Sequence, residues 1–189
     1  MKKVRLLGLS GSLRKASHNT AILRTLQERL PQDVQLDLLP LDALPLYNGD
    51  LELPEPPPAV VAFKAAVQQA DGLVLCSPEY NAGTSGVLKN ALDWASRPGN
   101  AAPLRGKHVL IMSSSPAFTG GARAHAQLRE ALASTLSRVA VHPPVVIAGV
   151  HDKIKDGRLV DEPNIQFALA AMAALVEEVL QAFPHKRER

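Results

Sequence analysis

The sequence predicts one doubly wound α/β domain: a five-stranded parallel sheet in the order 2-1-3-4-5 with helices on both faces. Three observations predict it. Short apolar runs alternate from end to end with helical apolar patterns, as βαβ units require. The third run, GLVLCS from Gly72, is apolar on both faces and so belongs in the middle of the sheet. A chain of 189 residues, 46% hydrophobic and 21% charged, fills one α/β core but not two.

The elements follow in order. Strand one covers about 3–9, and helix one about 18–30, where Ile22, Leu23, Leu26 and Leu30 form a helical stripe ended by Pro31. Strand two lies near 34–39. A long loop carries LPLYNGDLE at 44–52, and Pro54, Pro56, Pro57 and Pro58 stiffen it and start helix two at about 59–70. Helix three runs over about 86–96 and strand four is KHVLIMSS from Lys107. Helix four starts near Gly121. Strand five falls within 139–148, disturbed by Pro143 and Pro144 and therefore near an edge. Helix five covers about 163–182. The domain is expected over 1–184, with 185–189 (HKRER) as a solvated tail.

Composition excludes several classes. The net charge of +3 is mildly basic, but the lysines and arginines are scattered, with no stripe to track a nucleic-acid backbone. No run approaches the ~18 apolar residues of a membrane span. The apolar stretch after Lys2 and Lys3 is too short for a signal peptide and runs into a serine loop, so the protein is expected to be cytoplasmic. The single Cys76 cannot form an internal disulfide, which fits a reducing compartment, and it is read as a buried strand residue. Six histidines are spread without HExxH or CxxC partners, so no metal site is expected. His18 beside the first loop is read as an exposed helix-start residue that could assist binding.

The chemistry collects in three strand-end loops: SGSLRKASHNT from Ser10, SPEYNAGTSG from Ser77 and SSSPAFTGGAR from Ser113. In a doubly wound sheet all three lie at one carboxyl edge, around the point where the strand order reverses. The first offers small side chains, hydroxyls and free N–H groups ahead of a helix, a setting for a phosphate, with Arg14 as a mobile cation. It also reads as a turn in which Ser17 or Asn19 caps the helix. In the second, Pro78 fixes the backbone, and Glu79, Tyr80 and Asn81 offer amides to a planar heterocycle. A tight turn capping helix three, with Glu79 in solvent, is the other reading. The third, with Ser113, Ser115, Gly120 and Gly121, can lie along a ring edge or simply begin a helix. Together the loops describe a mononucleotide site, and flavin mononucleotide (FMN) suits one rich in amides rather than charge.

GSLRKASHNT, SPEYN with GVLKNALDW at 86–94, PLY at 45–47 and the SSS to GGAR segment resemble the NADPH-dependent FMN reductase family, with its quinone-, chromate- and azo-reducing branches. The resemblance spans about residues 3–150. It implies a flavodoxin-like fold, noncovalent FMN and NAD(P)H as co-substrate. Carried over position by position, Ser10, Ser12, Arg14, Ser17, Asn19 and Thr20 match the phosphate loop. Pro78, Glu79, Tyr80 and Asn81 match the segment against the isoalloxazine ring. Ser113, Ser115, Gly120 and Gly121 match the loop at its other edge. Many relatives have proline where this chain has Ser85, a departure that points to a more mobile loop and leaves substrate range, more than flavin binding, open.

In such an enzyme the cofactor carries the chemistry, so no catalytic side chain is expected. Hydride passes from NAD(P)H to FMN and on to quinones, free flavin or other small acceptors, in ping-pong order. The alternative is a flavodoxin-type electron carrier without NAD(P)H oxidation, which would show an acidic docking face where this chain is basic. Other α/β sites lack their residues: there is no GxGxxG after strand one and no GK[ST], and Ala82 stands where a C-x5-R phosphatase needs arginine. Helix three has an apolar stripe of Val87, Leu88, Ala91, Leu92 and Ala95 beside Trp94, explained equally by core packing or by a dimer contact. The family implies a homodimer or homotetramer. No basic pair is assigned to a 2′-phosphate, so NADH against NADPH stays open, as does the physiological acceptor.

Overall fold

The computed structural model describes residues 3–182; the expected tail at 185–189 lies outside them. The elements are β1 (Val4–Ser10), α1 (His18–Arg29), β2 (Val34–Leu38), α2 (Pro58–Gln69), β3 (Gly72–Tyr80), β4 (Gly83–Thr84), α3 (Gly86–Ala95), β5 (His108–Ser115), α4 (Ala122–Ser134), β6 (Arg138–Val139), β7 (Val145–Ala148), α5 (Val150–Lys153), β8 (Ile154–Lys155), β9 (Arg158–Leu159) and α6 (Glu162–Ala182).

Strand alternation builds two apolar layers. Val4 and Leu6 of β1, Val74 and Cys76 of β3, and Leu110 and Met112 of β5 face α1 and α6. Their neighbours Leu7 and Leu9, Leu73 and Leu75, and Val109 and Ile111 face α2, α3 and α4. This period of two, buried on both sides, is what a central parallel strand needs. The main sheet runs β2-β1-β3-β5-β6, with β1, β2, β3 and β5 parallel. That is the expected order, and the two layers place helices on both faces of a flavodoxin-like sheet.

Three details differ from the expectation. The fifth strand is two strands, β6 and β7, each pairing in parallel with β5. Pro143 and Pro144 fall in the gap, where they have no N–H to give a ladder. The third strand continues past Ser77 to Tyr80 and folds back as the antiparallel β4. Finally, α6 is 21 residues long with a mean hydropathy of 1.4 over its most apolar window, enough by length and composition to cross a membrane. Its Ile165, Ala168, Ala171, Met172, Leu175 and Val179 are buried in the core, which accounts for that apolarity.

The stripe on α3 is core. Leu88, Ala91, Leu92, Trp94 and Ala95 are all buried. The same helix clamps the 45–47 segment: Asn90 Oδ1 accepts from the Tyr47 amide at 2.7 Å, while Asn90 Nδ2 and Trp94 Nε1 donate to the Pro45 carbonyl at 2.9 and 2.8 Å. Removing the Asn90 amide strands a half-buried backbone N–H. Asn90→Ala is therefore expected to lower unfolding stability by about 1–3 kcal/mol. Urea denaturation with an unchanged slope would show it, and no loss would mean the clamp is idle.

Candidate functional site

β1 and β3 are neighbours in register from Leu6–Gly72 to Ser10–Cys76. Their crossovers leave in opposite directions, so a crevice opens beyond their carboxyl ends. The three loops meet there, with Gly11 between them. Its amide donates to the Cys76 carbonyl at 2.9 Å, and a Cβ on it would lie 2.7 Å from Ser85 Oγ and 2.9 Å from Pro78 Cδ. Glycine lets the first loop press this closely on the Ser85 and Pro78 side chains.

In the first loop, Ser17 is the N-cap of α1, its side chain accepting from the Thr20 amide at 3.2 Å. The cap and the anion setting coexist, because Ser12 and Arg14 remain free to line the crevice. Thr20 Oγ1 donates to Ser10 Oγ at 2.9 Å, which braces the loop from behind. His18 borders the crevice with its pKa lowered, first by burial and then by Arg14 and His151, which leaves the Arg14 guanidinium as the positive charge at the crevice.

Asn19 is turned inward. Its Oδ1 accepts from Cys76 Sγ at 3.2 Å and from Ser114 Oγ at 2.9 Å, all three groups being buried. Burial pushes the Cys76 thiol well above its ordinary pKa, so it stays a neutral donor. This three-way contact fixes the first turn of α1 to the ends of β3 and β5. Sequence reasoning named Asn19 and Cys76 separately and missed Ser114.

The second loop is a hairpin. Asn81 and Ala82 have φ of 50° and 62°, so both central residues of the turn are left-handed. For alanine that costs about 1–2 kcal/mol. The hairpin is tied down from α4: Gln127 Oε1 accepts from the Thr84 amide at 2.7 Å. The Glu79 carboxylate accepts from the Arg123 amide at 2.9 Å and the Ala124 amide at 3.4 Å. Gly121 itself provides no side-chain cap for α4, so Glu79 serves as a remote one. Its side chain is thus neither loose in solvent nor aimed at a ring. Tyr80 stands half exposed. Ser85 is buried and caps α3, accepting from the Leu88 amide at 3.3 Å, so the residue that replaces proline is a fixed point of the loop.

In the third loop Ser115 Oγ accepts from the Ala117 amide at 3.1 Å. Gly120 and Gly121 have φ of 59° and 93°, and a Cβ on them would lie 2.5 Å from Val146 Cγ1 and 2.9 Å from Ser113 Cβ. Among the described residues Ser113 Oγ is the buried side-chain polar atom without a hydrogen-bond partner. The crevice encloses about 140 Å³ between Ser12, Arg14, His18 and Asn19 on one side, Pro78, Glu79 and Tyr80 on the second, and Ser114, Ser115 and Pro116 on the third. Asn81, Ser113, Gly120 and Gly121 frame it without lining it. Ser10 and Thr20 instead line a larger cavity on the β2 side of the first loop.

Replacing Glu79 by alanine leaves two helix-start amides without their acceptor. Glu79→Ala is expected to cost about 1–2 kcal/mol in chemical denaturation, and Glu79→Gln, which keeps an acceptor, less. Equal stability for all three proteins would remove the remote cap.

Comparison with known proteins agrees with this geometry. The family description "NADPH-dependent FMN reductase" matches residues 4–152. The NAD(P)H-dependent FMN reductase of Pseudomonas aeruginosa is 38% identical over 173 residues, 91% of this chain and 93% of that protein. The quinone reductase of Escherichia coli K12 is 38% identical over 181 residues, 93% of this chain and 95% of that one. Among solved structures, the flavoenzyme NAD(P)H:(acceptor) oxidoreductase FerB from Paracoccus denitrificans superposes with a TM-score of 0.82 at 29% identity, covering 94% of this chain and 97% of its own. With more than half the chain matched and relatives above the level of identity at which homology is plain, this chain belongs to the NADPH-dependent FMN reductase family.

Proposed function

We propose that the crevice at the β1–β3 switch point holds FMN noncovalently and that the protein is an NAD(P)H-dependent FMN reductase that passes electrons to quinones and other small acceptors. The observation that carries this reading is the meeting of three loops of complementary chemistry in one place. Ser12 and Arg14 hold the phosphate, by hydroxyl and guanidinium, beside the N-terminus of α1. Ser10, Ser17, Asn19 and Thr20 shape that loop through the bonds described above.

The residues fit the flat end of the group as well. Gly11 stands where a Cβ would collide with Ser85 and Pro78 of the second loop, and Gly120 and Gly121 where one would collide with β7 and β5, so the third loop packs tightly behind the crevice. On the third side Ser115, next to the buried Ser113, lines the crevice and offers a backbone and hydroxyl edge to a polar ring. Pro78, Glu79, Tyr80 and Asn81 present the hairpin to one side of the ring, and Ser113, Ser115, Gly120 and Gly121 the loop on the other.

FMN, when bound, supplies the two-electron chemistry between nicotinamide and acceptor. The chain's own task is to bind, orient and leave one face open. Glu79 and Gln127 anchor the hairpin to α4 and so fix the position of Tyr80 at the mouth. Cys76, buried and neutral, takes no part as a nucleophile. If the hairpin and the third loop cover FMN so that one face stays open, nicotinamide and acceptor would use that face in turn, which is the ping-pong order.

We further infer a homodimer or homotetramer in the cytoplasm, with residues 1–184 as one FMN-binding domain. Leu53, 80% exposed, stands with Leu51 and Val61 beside the Pro56–Pro58 run and supports an interface on that side. No nucleic-acid or membrane partner is proposed.

Steady-state kinetics of the FMN-loaded protein with NAD(P)H and a benzoquinone test this reading. Sustained oxidation of NAD(P)H with parallel double-reciprocal lines is expected. Absence of turnover would leave the electron carrier instead.

A further inference from the structure

The larger cavity lies on the other side of the first loop, over the carboxyl ends of β1 and β2, and encloses about 620 Å³. It adjoins the crevice, since Ser12 and Arg14 line both. Its floor is apolar: Gly8, Leu23 and Leu41 are buried, Leu38 and Leu39 are partly covered, and Pro40 is exposed at the edge. Its rim carries Arg14, Lys15 and Arg24 against one carboxylate, Asp42. None of these three cations makes an ion pair among the described residues, although Arg5, Arg29, Lys89 and Arg158 elsewhere all do.

With FMN assigned to the crevice, a slot with an apolar floor and unpaired cations at its rim suits the adenosine and phosphate monoester of a second nucleotide. Its volume falls within the ~300–1,000 Å³ usual for small-molecule sites. Resting on the functional reading above, we infer that this cavity receives the 2′-phosphoadenosine end of NADPH, with Lys15 and Arg24 holding the 2′-phosphate. That monoester carries about −1.5 to −2 charge at pH 7 and has no counterpart in NADH. Arg24 offers a planar fork to its oxygens and Lys15 a point charge. Arg14 stands between the two cavities and faces the phosphates on either side of it. The adenine lies over Leu23, Leu39 and Leu41, and the nicotinamide end reaches the crevice past Ser12.

The geometry explains how nucleotide choice is separated from flavin binding. Lys15 and Arg24 border only the larger cavity, so they bear on NADPH without touching the crevice. Both side chains are exposed and unpaired, so their replacement leaves the fold intact.

The test uses the FMN-loaded protein and its Lys15→Gln/Arg24→Gln variant. Calorimetric titration of the wild type with 2′,5′-ADP and with 5′-AMP is expected to show at least tenfold tighter binding of 2′,5′-ADP, and the variant should lose that preference. In parallel, KM for NADPH should rise at least tenfold while KM for NADH, kcat with NADH and FMN content stay unchanged. Equal binding of the two adenosine phosphates by the wild type would overturn the inference. So would a variant that weakens NADH and NADPH alike. A wild type that oxidises neither nucleotide would overturn the functional reading, while the binding arm would still decide the cavity.

Discussion

The direction of the chain as it leaves β1 and β3 governs everything built on this sheet. The two strands are bonded side by side, yet α1 carries the chain from β1 toward β2 on one face, and α3 carries it from β3 toward β5 on the other. No helix can cover the gap between such departures. Backbone amides and small side chains are therefore left at an open edge, where a ligand rather than the core must satisfy them. The crevice and the close packing of Gly11 against the second loop both follow from that one topological fact.

An open edge is a weak place unless its loops are fixed to one another, and the molecule fixes them with buried polar contacts. Asn19 ties α1 to β3 and β5 through Cys76 and Ser114. Gly11 lets the first loop press against Ser85 and Pro78 of the second. Glu79 and Gln127 join the second loop to α4 behind the third. Each link runs between segments distant in sequence. A low-dielectric setting strengthens the buried Asn19 contact, and the loss of one member leaves the others unsatisfied. The site is thus preorganised by groups that do no chemistry, in a protein whose cofactor does it all.

Much of this was legible in the sequence because it depends on short-range signals. The alternation in Val4–Leu9, Leu73–Cys76 and Val109–Met112 carries both faces of each central strand, and the strand order with its reversal follows from the helical stripes between them. Serine and glycine at three strand ends marked the loops. What stayed hidden is non-local or breaks a local rule. The turn at Asn81–Ala82 needs two left-handed residues but shows alanine where glycine is the usual signal, so the β3–β4 hairpin left no trace. Glu79 caps a helix 44 residues away. Ser114 looked like one more small residue in a serine run. Lys15 and Arg24 are separated by a cap and a helical turn, and become a pair only when α1 stands beside the 38–42 segment. In α6 one face is core, with Leu169, Val176 and Leu180 packed at its margins, so much of an apolarity that by composition would suit a membrane serves the fold.

The central claim is that one loop grips an anionic tail while two others hold a flat head. Flavin fluorescence titrations comparing FMN with riboflavin, for the wild type and for Ser12→Ala/Arg14→Gln, test it most directly. The account predicts that the wild type binds FMN at least tenfold tighter than riboflavin, as charge-assisted phosphate contacts of about 1.5–3 kcal/mol each require, and that the variant loses this margin with riboflavin affinity unchanged. Equal affinity for the two flavins in the wild type, or no flavin binding at all, would contradict it.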